Sequence, residues 1–281
     1  MPTETAYAKV NLALHVRRRR EDGYHDLESL FAFVDRGDAL SATPRADGGL
    51  SLTIDGPFAH GLDSGDDNLV LRAASALQQR LENGQSGADL HLTKNLPVAS
   101  GIGGGSADAA AALRLLNRLW GCNLTDRELC AIGETLGSDI PACVVSQSLR
   151  VEGRGEALAP LDLTGLSGTP ILLVNPGIPL GTAPVFRGWD QVDRGPLDTS
   201  SLEAVIAQGR NDLEASARAL VPEIGVVLER LRKTPGVTLA RMSGSGATCF
   251  ALFDSPDVCA TAGQALAAEQ PTWWLMSGML R

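Results

Sequence analysis

The chain has 281 residues, of which 44% are hydrophobic and 20% are charged, and its formal net charge is −9. This length suffices for about two ordinary domains, and the composition is typical of a globular protein with a sizeable core. The negative charge argues against binding nucleic acid through bulk charge. No apolar run approaches the about 18 residues of a membrane-spanning helix, so we expect neither a nucleic-acid partner nor a membrane association.

The five cysteines are odd in number and scattered, and none forms a Cys-x-x-Cys pair. This pattern indicates neither a zinc site nor a disulfide framework, and it fits a reducing compartment. The first residues also lack the charged-then-apolar pattern of a signal peptide. We therefore expect a cytoplasmic protein.

The first predicted element is a strand over residues 5–16, where apolar residues alternate with a second set that contains Lys9 and Asn11. These two side chains share a face and lie about 7 Å apart along the strand. Two interpretations of that face remain open: an edge strand with a solvated polar side, or the floor of a ligand site. Lysine is scarce in the chain, which contains only three lysines among its 24 basic residues.

A turn at 21–23 and a second run of strand residues over 27–42 predict a hairpin. Four arginines, Arg17 to Arg20, precede the turn, and we interpret them as a solvated hairpin tip. Tyr24 and His25 follow the turn directly. His25 is either an ordinary surface histidine or, with Tyr24, part of a site that holds a planar ligand by stacking and hydrogen bonding.

A strand over 50–54, a helix over 68–81 and an alternating strand over 88–93 lead to a glycine-rich loop, and an apolar stripe at helical spacing follows Ser106. Glycines permit close backbone approach to a ligand, and the free N–H groups of a helix N-terminus favour an anion. The loop is not a dinucleotide fingerprint, because Ser106 replaces the last glycine, and no Gly-Lys-Ser/Thr sequence makes it a P-loop. It indicates phosphate binding, with a turn for tight strand–helix packing as the alternative.

Further along, Gly121 ends the helix and a capping box at 125–128 opens another that extends to 136. Residues 137–141 break that helix and place Asp139 at a new helix N-terminus. The ordinary role of an aspartate at this position is capping.

The second half of the chain is predicted to mix strands and helices around a second glycine loop at 242–247. The strands cover 171–174, 238–241, 249–253 and 273–277, and the helices cover 202–208, 212–220, 223–233 and 256–268. The stretch from 176 to 200 is rich in glycine and proline and is predicted to be irregular; Phe186 lies within it. The fold class is α+β in two parts.

Three segments together resemble the GHMP kinase superfamily, which includes galactokinase, homoserine kinase and mevalonate kinase. They are the strand around Lys9 and Asn11, the glycine loop from Pro97 to Ala107, and the second glycine loop at 242–247. The resemblance spans nearly the whole chain. It implies the two-domain GHMP kinase fold, with a ribosomal-protein-S5-like N-terminal domain over 1–155 and a ferredoxin-like C-terminal domain over 156–281. It also implies ATP and Mg²⁺ as cofactors.

The resemblance further implies roles for individual residues. Asp139 would be the general base that takes the proton from the attacking hydroxyl, and Lys9 would stabilise the developing negative charge. The loop that would wrap the ATP phosphates consists of Pro97, Val98, Ala99, Ser100, Gly101, Ile102, Gly103, Gly104, Gly105, Ser106 and Ala107.

Within the superfamily, the chain is most similar to the kinases that phosphorylate the 2-hydroxyl of 4-diphosphocytidyl-2-C-methyl-D-erythritol, a step of non-mevalonate isoprenoid biosynthesis. The segments that carry this similarity are 8–12, 22–25, the Gly-Gly-Gly-Ser loop at 103–106, 137–141 and 211–214. The residues expected to bind this small-molecule substrate are Asn11, Tyr24, His25, Thr182 and Phe186. Two alternatives stay open: a related kinase with another alcohol acceptor, and a catalytically silent nucleotide-binding protein on the same scaffold.

Overall fold

A computed structural model describes residues 1–81 and 86–281. Within these ranges the strands are β1 (Thr3–Arg19), β2 (His25–Arg45), β3 (Leu50–Asp55), β4 (Gly87–Thr93), β5 (Leu149–Gly153), β6 (Ala157–Pro160), β7 (Pro170–Asn175), β8 (Val237–Met242), β9 (Cys249–Phe253) and β10 (Trp274–Met279). The helices are α1 (Leu69–Gln78), α2 (Gly104–Leu119), α3 (Asp126–Glu134), α4 (Ile140–Val145), α5 (Thr182–Arg187), α6 (Leu202–Gln208), α7 (Glu214–Leu220), α8 (Glu223–Arg232) and α9 (Pro256–Glu269).

The chain forms two compact units that interleave along the sequence. Unit 1 contains residues 1–8, 37–98 and 103–146, and unit 2 contains 9–36, 99–102 and 147–281. Both β1 and β2 therefore contribute residues to each unit. The division at 155/156 inferred from the resemblance remains a prediction.

In unit 1, the C-terminal part of β2 pairs antiparallel with β4, with Ala39 opposite Thr93. β3 lies parallel to β4, and Leu50 pairs with Ala88. The helices α1 and α2 pack against each other, and α2 also contacts α4. Because α2 presents Ala and Leu at helical spacing, its apolar face is buried from its first turns onward.

In unit 2, the N-terminal part of β2 pairs antiparallel with β5, and β5 pairs with β6. A second, antiparallel sheet has the strand order β10-β7-β9-β8. Its central strands are fully buried, and helices α8 and α9 contact the sheet. The hydrophobic core between this sheet and its helices includes Leu172, Val227, Leu228 and Phe253.

The predicted hairpin of β1 and β2 is confirmed, with Gly23 at a φ of +85° in its turn. Both faces of β1 are covered: Lys9, Asn11 and His15 are as buried as the apolar residues between them. The interpretation of β1 as an edge strand with a solvated polar face is therefore wrong. The arginines near the hairpin tip are not simply solvated, because Arg17, Arg18 and Arg20 form ion pairs with nearby carboxylates.

Three details differ from the elements predicted by sequence patterns. Helix α2 begins at Gly104 rather than after Ser106, because Gly103 takes a left-handed conformation and the next two glycines are already helical. Helix α5 forms within the stretch predicted to be irregular; Pro184 lies in its first turn, where a missing N–H is tolerated. The short strand β6 was not predicted.

The other helices and strands for which bounds were predicted lie within a few residues of them, and helix α6 matches its predicted range of 202–208. None of the helices in 1–81 and 86–281 combines the length and apolarity needed to cross a bilayer.

Candidate active site

The N-terminus of α2, in unit 1, is a helix end without a side-chain cap. Its cap residue is Gly103, which offers no side chain, and the first turn contains no acidic residue. The first main-chain bond of the helix runs from the Ala107 N–H to the Gly103 carbonyl at 2.8 Å. The preceding N–H groups have no partner within the helix and carry its positive dipole end. This arrangement matches the phosphate-binding role predicted for the glycine loop.

In unit 2, residues 99–102 of the same loop lie against the second glycine loop. The Thr248 N–H donates to the Ser100 carbonyl at 3.1 Å, and the Ser243 hydroxyl donates to the Gly101 carbonyl at 2.9 Å. A Cβ on Gly101 would lie 2.4 Å from the Ser243 carbonyl oxygen, closer than any real contact. The two backbones approach so closely that only glycine fits at this position.

Lys9, in unit 2, is a buried cation with defined partners and is 5% exposed. Its main-chain N–H donates to the Ile102 carbonyl at 3.0 Å, which ties β1 to the glycine loop. Its ammonium donates to the Asn11 side-chain oxygen at 3.1 Å and lies 4.2 Å from the centroid of the Phe31 ring. These contacts fix the charge in place and partly compensate for its loss of water.

The side-chain amide of Asn11 is oriented by its neighbours. Its Nδ2 donates to the Ser29 hydroxyl at 2.9 Å, and that hydroxyl donates to the Ala13 carbonyl at 2.6 Å. The Asn11 oxygen is therefore the atom that faces the Lys9 ammonium. The main-chain N–H of Asn11 also donates to the Ser243 hydroxyl at 3.1 Å, so β1 and the second glycine loop are joined directly.

Asp139, in unit 1, lies immediately before α4 and is partly buried. It occupies the capping position, but its side chain makes no capping hydrogen bond to the helix. Its main-chain carbonyl accepts from the Cys143 N–H at 3.1 Å. The expectation that the Asp139 side chain caps this helix is therefore wrong.

A second cluster in unit 2 is aromatic. The ring centroids of His25 and Phe186 lie 5.0 Å apart, and the ring of Trp189 meets His25 edge-on at 5.7 Å. Burial and the nearby Arg19 cation lower the pKa of His25, so its imidazole is neutral near pH 7. A neutral imidazole offers one donor and one acceptor to a ligand.

The other two predicted acceptor residues are placed differently. Tyr24 is 61% exposed, and the Arg154 guanidinium lies over its ring at 5.4 Å. The Thr182 hydroxyl, at the start of α5, lies 3.0 Å from the Ser245 hydroxyl of the second glycine loop. The structure thus brings His25 together with Phe186, and Thr182 together with the second loop.

Sequence patterns missed a buried ionic cluster in unit 1 at the entry to the glycine loop. The Lys94 ammonium lies 2.5 Å from a carboxylate oxygen of Asp38 and 2.5 Å from one of Asp108. The other Asp38 oxygen accepts the N–H groups of Asn95 and Leu96, the residues that lead into the loop. The scarcity of lysine was the available signal, but it had drawn attention only to Lys9.

The charges of this cluster perturb one another. Burial alone would lower the pKa of Lys94, but the adjacent Asp108 and Asp38 carboxylates raise it overall. Burial raises the pKa of Asp108 to about 8, against the opposing effect of the Lys94 cation. One Asp108 oxygen has no hydrogen-bond partner among the described residues. The cluster anchors the chain at the start of the loop and the second turn of α2.

Known proteins match this chain along nearly its whole length. A family model described as the GHMP kinases N terminal domain matches residues 68–147, and one described as the GHMP kinases C terminal matches 198–271. A 4-diphosphocytidyl-2-C-methyl-D-erythritol kinase of Rhizorhabdus wittichii is 52% identical, with 100% of this chain and 95% of that protein covered. The protein of the same name from Novosphingobium aromaticivorans is also 52% identical, with 99% and 92% covered.

A crystal structure of 4-(cytidine 5'-diphospho)-2C-methyl-D-erythritol kinase matches with a TM-score of 0.84, 36% identity and 99% of both chains covered. A homoserine kinase from Cytophaga hutchinsonii has a TM-score of 0.76 at 18% identity, with 98% of this chain and 93% of that chain covered, and shows the shared fold alone. The chain thus has the two-domain GHMP kinase fold, and it belongs to the GHMP kinases and, within them, to the 4-diphosphocytidyl-2-C-methyl-D-erythritol kinase family.

Proposed function

We propose that the protein transfers the terminal phosphoryl group of ATP to the 2-hydroxyl of 4-diphosphocytidyl-2-C-methyl-D-erythritol, in non-mevalonate isoprenoid precursor biosynthesis. The observation that carries this proposal is the 52% identity, along the whole chain, to proteins named for this kinase activity. Each unit also contains groups suited to a part of this reaction: phosphate binding, proton transfer, charge stabilisation or binding of the cytosine.

The phosphates of ATP lie at the N-terminal turn of α2, where Gly104, Gly105 and Ser106 present main-chain N–H groups beyond the uncapped helix end. Binding of the triphosphate relies on backbone groups rather than on a lysine of the P-loop type. This explains the run of glycines at the start of the helix, and the ionic cluster of Lys94 holds the entry to the loop.

Mg²⁺ accompanies the nucleotide. Among the residues in 1–81 and 86–281, no group of three or more His, Cys, Asp or Glu side chains is arranged to hold a metal ion. This donor set fits a cation that is held mainly by phosphate oxygens and water, as Mg²⁺ commonly is. When bound, the ion neutralises charge on the phosphates.

Asp139 takes the proton from the acceptor hydroxyl, and Lys9 stabilises the negative charge that develops on that oxygen. The position of Asp139, partly buried immediately before α4, supports the first role. Burial supports the second, because a cation fixed in a poorly hydrated place acts more strongly on a nearby anion. Positioning and charge stabilisation are the main requirements of phosphoryl transfer.

The cytosine of the acceptor binds near Tyr24, His25 and Phe186. The neutral imidazole of His25 can hydrogen-bond the polar edge of the base, and the Phe186 ring next to it offers an apolar face. Asn11 orients the erythritol part, since its amide is already fixed by Ser29. Thr182 contributes a hydroxyl from the start of α5.

The deciding experiment is an assay of the purified protein with ATP, Mg²⁺ and the cytidyl acceptor, with homoserine and mevalonate as competing substrates. We expect turnover of the cytidyl compound alone. Absence of that turnover would refute the proposed acceptor. Turnover of another alcohol would identify a related kinase, and ATP binding without any turnover would identify a silent scaffold.

A further inference from the structure

Unit 2 contains a cavity of about 450 Å³ that the proposed reaction does not use. It lies among the segment after α5, the start of α7, the end of α8 and strand β8. Five arginines and three acidic residues line it, a surplus of two positive charges in a chain whose net charge is −9. A cationic concavity in an acidic protein is an unusual local field and attracts anions.

Two of the five arginines are matched by their own carboxylates. Arg194 forms a two-bond pair with Asp190, and Arg210 lies 2.8 Å from Asp212. The surplus positive charge therefore falls on the other three arginines. A single carboxylate oxygen of Glu214 serves two of them, Arg218 at 3.4 Å and Arg232 at 3.6 Å.

Arg241 supplies the remaining positive charge. Its buried guanidinium donates to main-chain carbonyls, including those of Val205 and Ile206, and it forms no ion pair with a carboxylate in the described part of the chain. Burial lowers the pKa of Arg241 to about 10, which leaves it charged at neutral pH. Its acidic neighbour is Glu214, which already serves Arg218 and Arg232, so this buried guanidinium favours a further anion nearby.

Trp189 is a buried residue of the cavity wall. It is 5% exposed, and its indole Nε1 finds no hydrogen-bond partner among the described residues. This nitrogen is itself fully buried, so an anion in the cavity does not reach it without a rearrangement of the side chain. The attraction for an anion therefore comes from the arginines.

We propose that this cavity is a binding site for a small phosphorylated anion, which compensates the charges of Arg218, Arg232 and Arg241. Phosphate oxygens suit the planar donor fork of arginine, and a dianion matches the surplus of two charges. The volume accommodates inorganic diphosphate or a small phosphate ester. The residues that line the cavity include none of the first glycine loop and none of those proposed to bind the acceptor.

The test is calorimetric titration of the full chain with inorganic diphosphate and, separately, with glycerol 3-phosphate, at constant ionic strength. Two matched variants separate this cavity from any other phosphate site. Arg232→Gln removes a cavity arginine, and Arg230→Gln removes a neighbour on the same helix that pairs with Glu269 instead. The two arginine side chains are equally exposed, at 51% and 50%. Each substitution removes one positive charge, so the change in net charge is the same.

We expect binding of at least one probe, with an affinity that falls about tenfold or more in Arg232→Gln and less than twofold in Arg230→Gln. The tighter probe distinguishes a free inorganic anion from a phosphate ester. No binding, an unchanged affinity in Arg232→Gln, or an equal loss in both variants would each overturn the proposal. Because binding is read without turnover, the result does not depend on the proposed kinase reaction.

Discussion

The hydroxyl of Ser243 donates a 2.9 Å hydrogen bond to the carbonyl of Gly101, across 142 residues of sequence. The same hydroxyl accepts the main-chain N–H of Asn11 at 3.1 Å. One side chain therefore fixes three segments: the strand that carries Lys9, the first glycine loop and the second. The geometry of this junction depends on glycine at 101, which has a φ of +78° and no space for a Cβ.

The Gly101→Ala substitution should destabilise the protein far more than Gly61→Ala. Both glycines have a left-handed φ, of +78° and +81°, and share the cost of placing alanine there. Only at Gly101 would the added methyl also collide with a backbone, whereas nothing lies within 4 Å of it at Gly61. We expect a further loss of at least about 2 kcal/mol of unfolding free energy, measured by urea denaturation. Equal losses would show that the loops can separate without cost.

The Asp139→Asn substitution should reduce kcat at least about a hundredfold, because an amide cannot accept the proton of the acceptor hydroxyl. ATP affinity, measured by calorimetry, should stay unchanged. Urea denaturation of the variant serves as the control that its fold is intact. An unchanged kcat would reject the assignment of Asp139 as the base.

Lys9→Ala should likewise lower kcat rather than ATP affinity. Its ammonium is fixed by Asn11 and the Phe31 ring. We expect a loss of at least about a hundredfold in kcat, the range seen when a preorganised charge-stabilising group is removed. A variant altered only in its affinity for ATP would instead identify Lys9 as a phosphate ligand.

Phe186→Ala should raise the KM of the cytidyl acceptor at least about fivefold, because a stacking ring contributes roughly 1–3 kcal/mol to the binding of a base. The KM of ATP serves as the internal control and should not change. Tyr24→Ala tests the exposed ring in the same way. If both variants kept the acceptor KM of the parent protein, a different alcohol acceptor would be indicated.

The buried cluster of Lys94 should make stability depend on pH through Asp108. Its pKa is about 8 in the folded protein, above the unfolded value of 3.8, so the folded state holds the proton more tightly. The contribution of Asp108 to the free energy of unfolding is therefore fully present below about pH 4 and is lost as the pH rises towards 8. Since asparagine does not titrate, Asp108→Asn should gain stability relative to the parent over that interval, by about 1 kcal/mol or more. Parallel stability curves in urea titrations would contradict this.

How far the sequence could lead is shown by β1 and its partners. Alternation placed Lys9 and Asn11 on one face, because the period of a strand is a local property. Alternation could not show that β1 is enclosed, since its contacts include distant residues. Ser243, which accepts the main-chain N–H of Asn11, lies 232 residues beyond it. The start of α2 was hidden for another reason: glycine has weak helix propensity, so Gly104 and Gly105 resembled loop.

The clusters of charge were beyond prediction for the same physical reason. Lys94 joins Asp38, 56 residues away, and the arginine cavity draws on four separate segments. Charged residues show no periodicity that marks them as buried, and their partners are chosen by the tertiary fold. By contrast, the capping box of Thr125 and Glu128 is a local motif, and it formed as predicted.

The interleaving of the two units has a consequence for synthesis on the ribosome. Unit 2 needs residues 9–36 together with strands that end at Met279, and the Arg281 N–H still donates to the Phe33 carbonyl. Residues 9–36 of the first hairpin are therefore enclosed only after nearly the entire chain has been synthesised. Such non-local closure is slow and leaves apolar strand exposed in the meantime. We expect the nascent N-terminal hairpin to be the segment of this kinase that most needs chaperone protection.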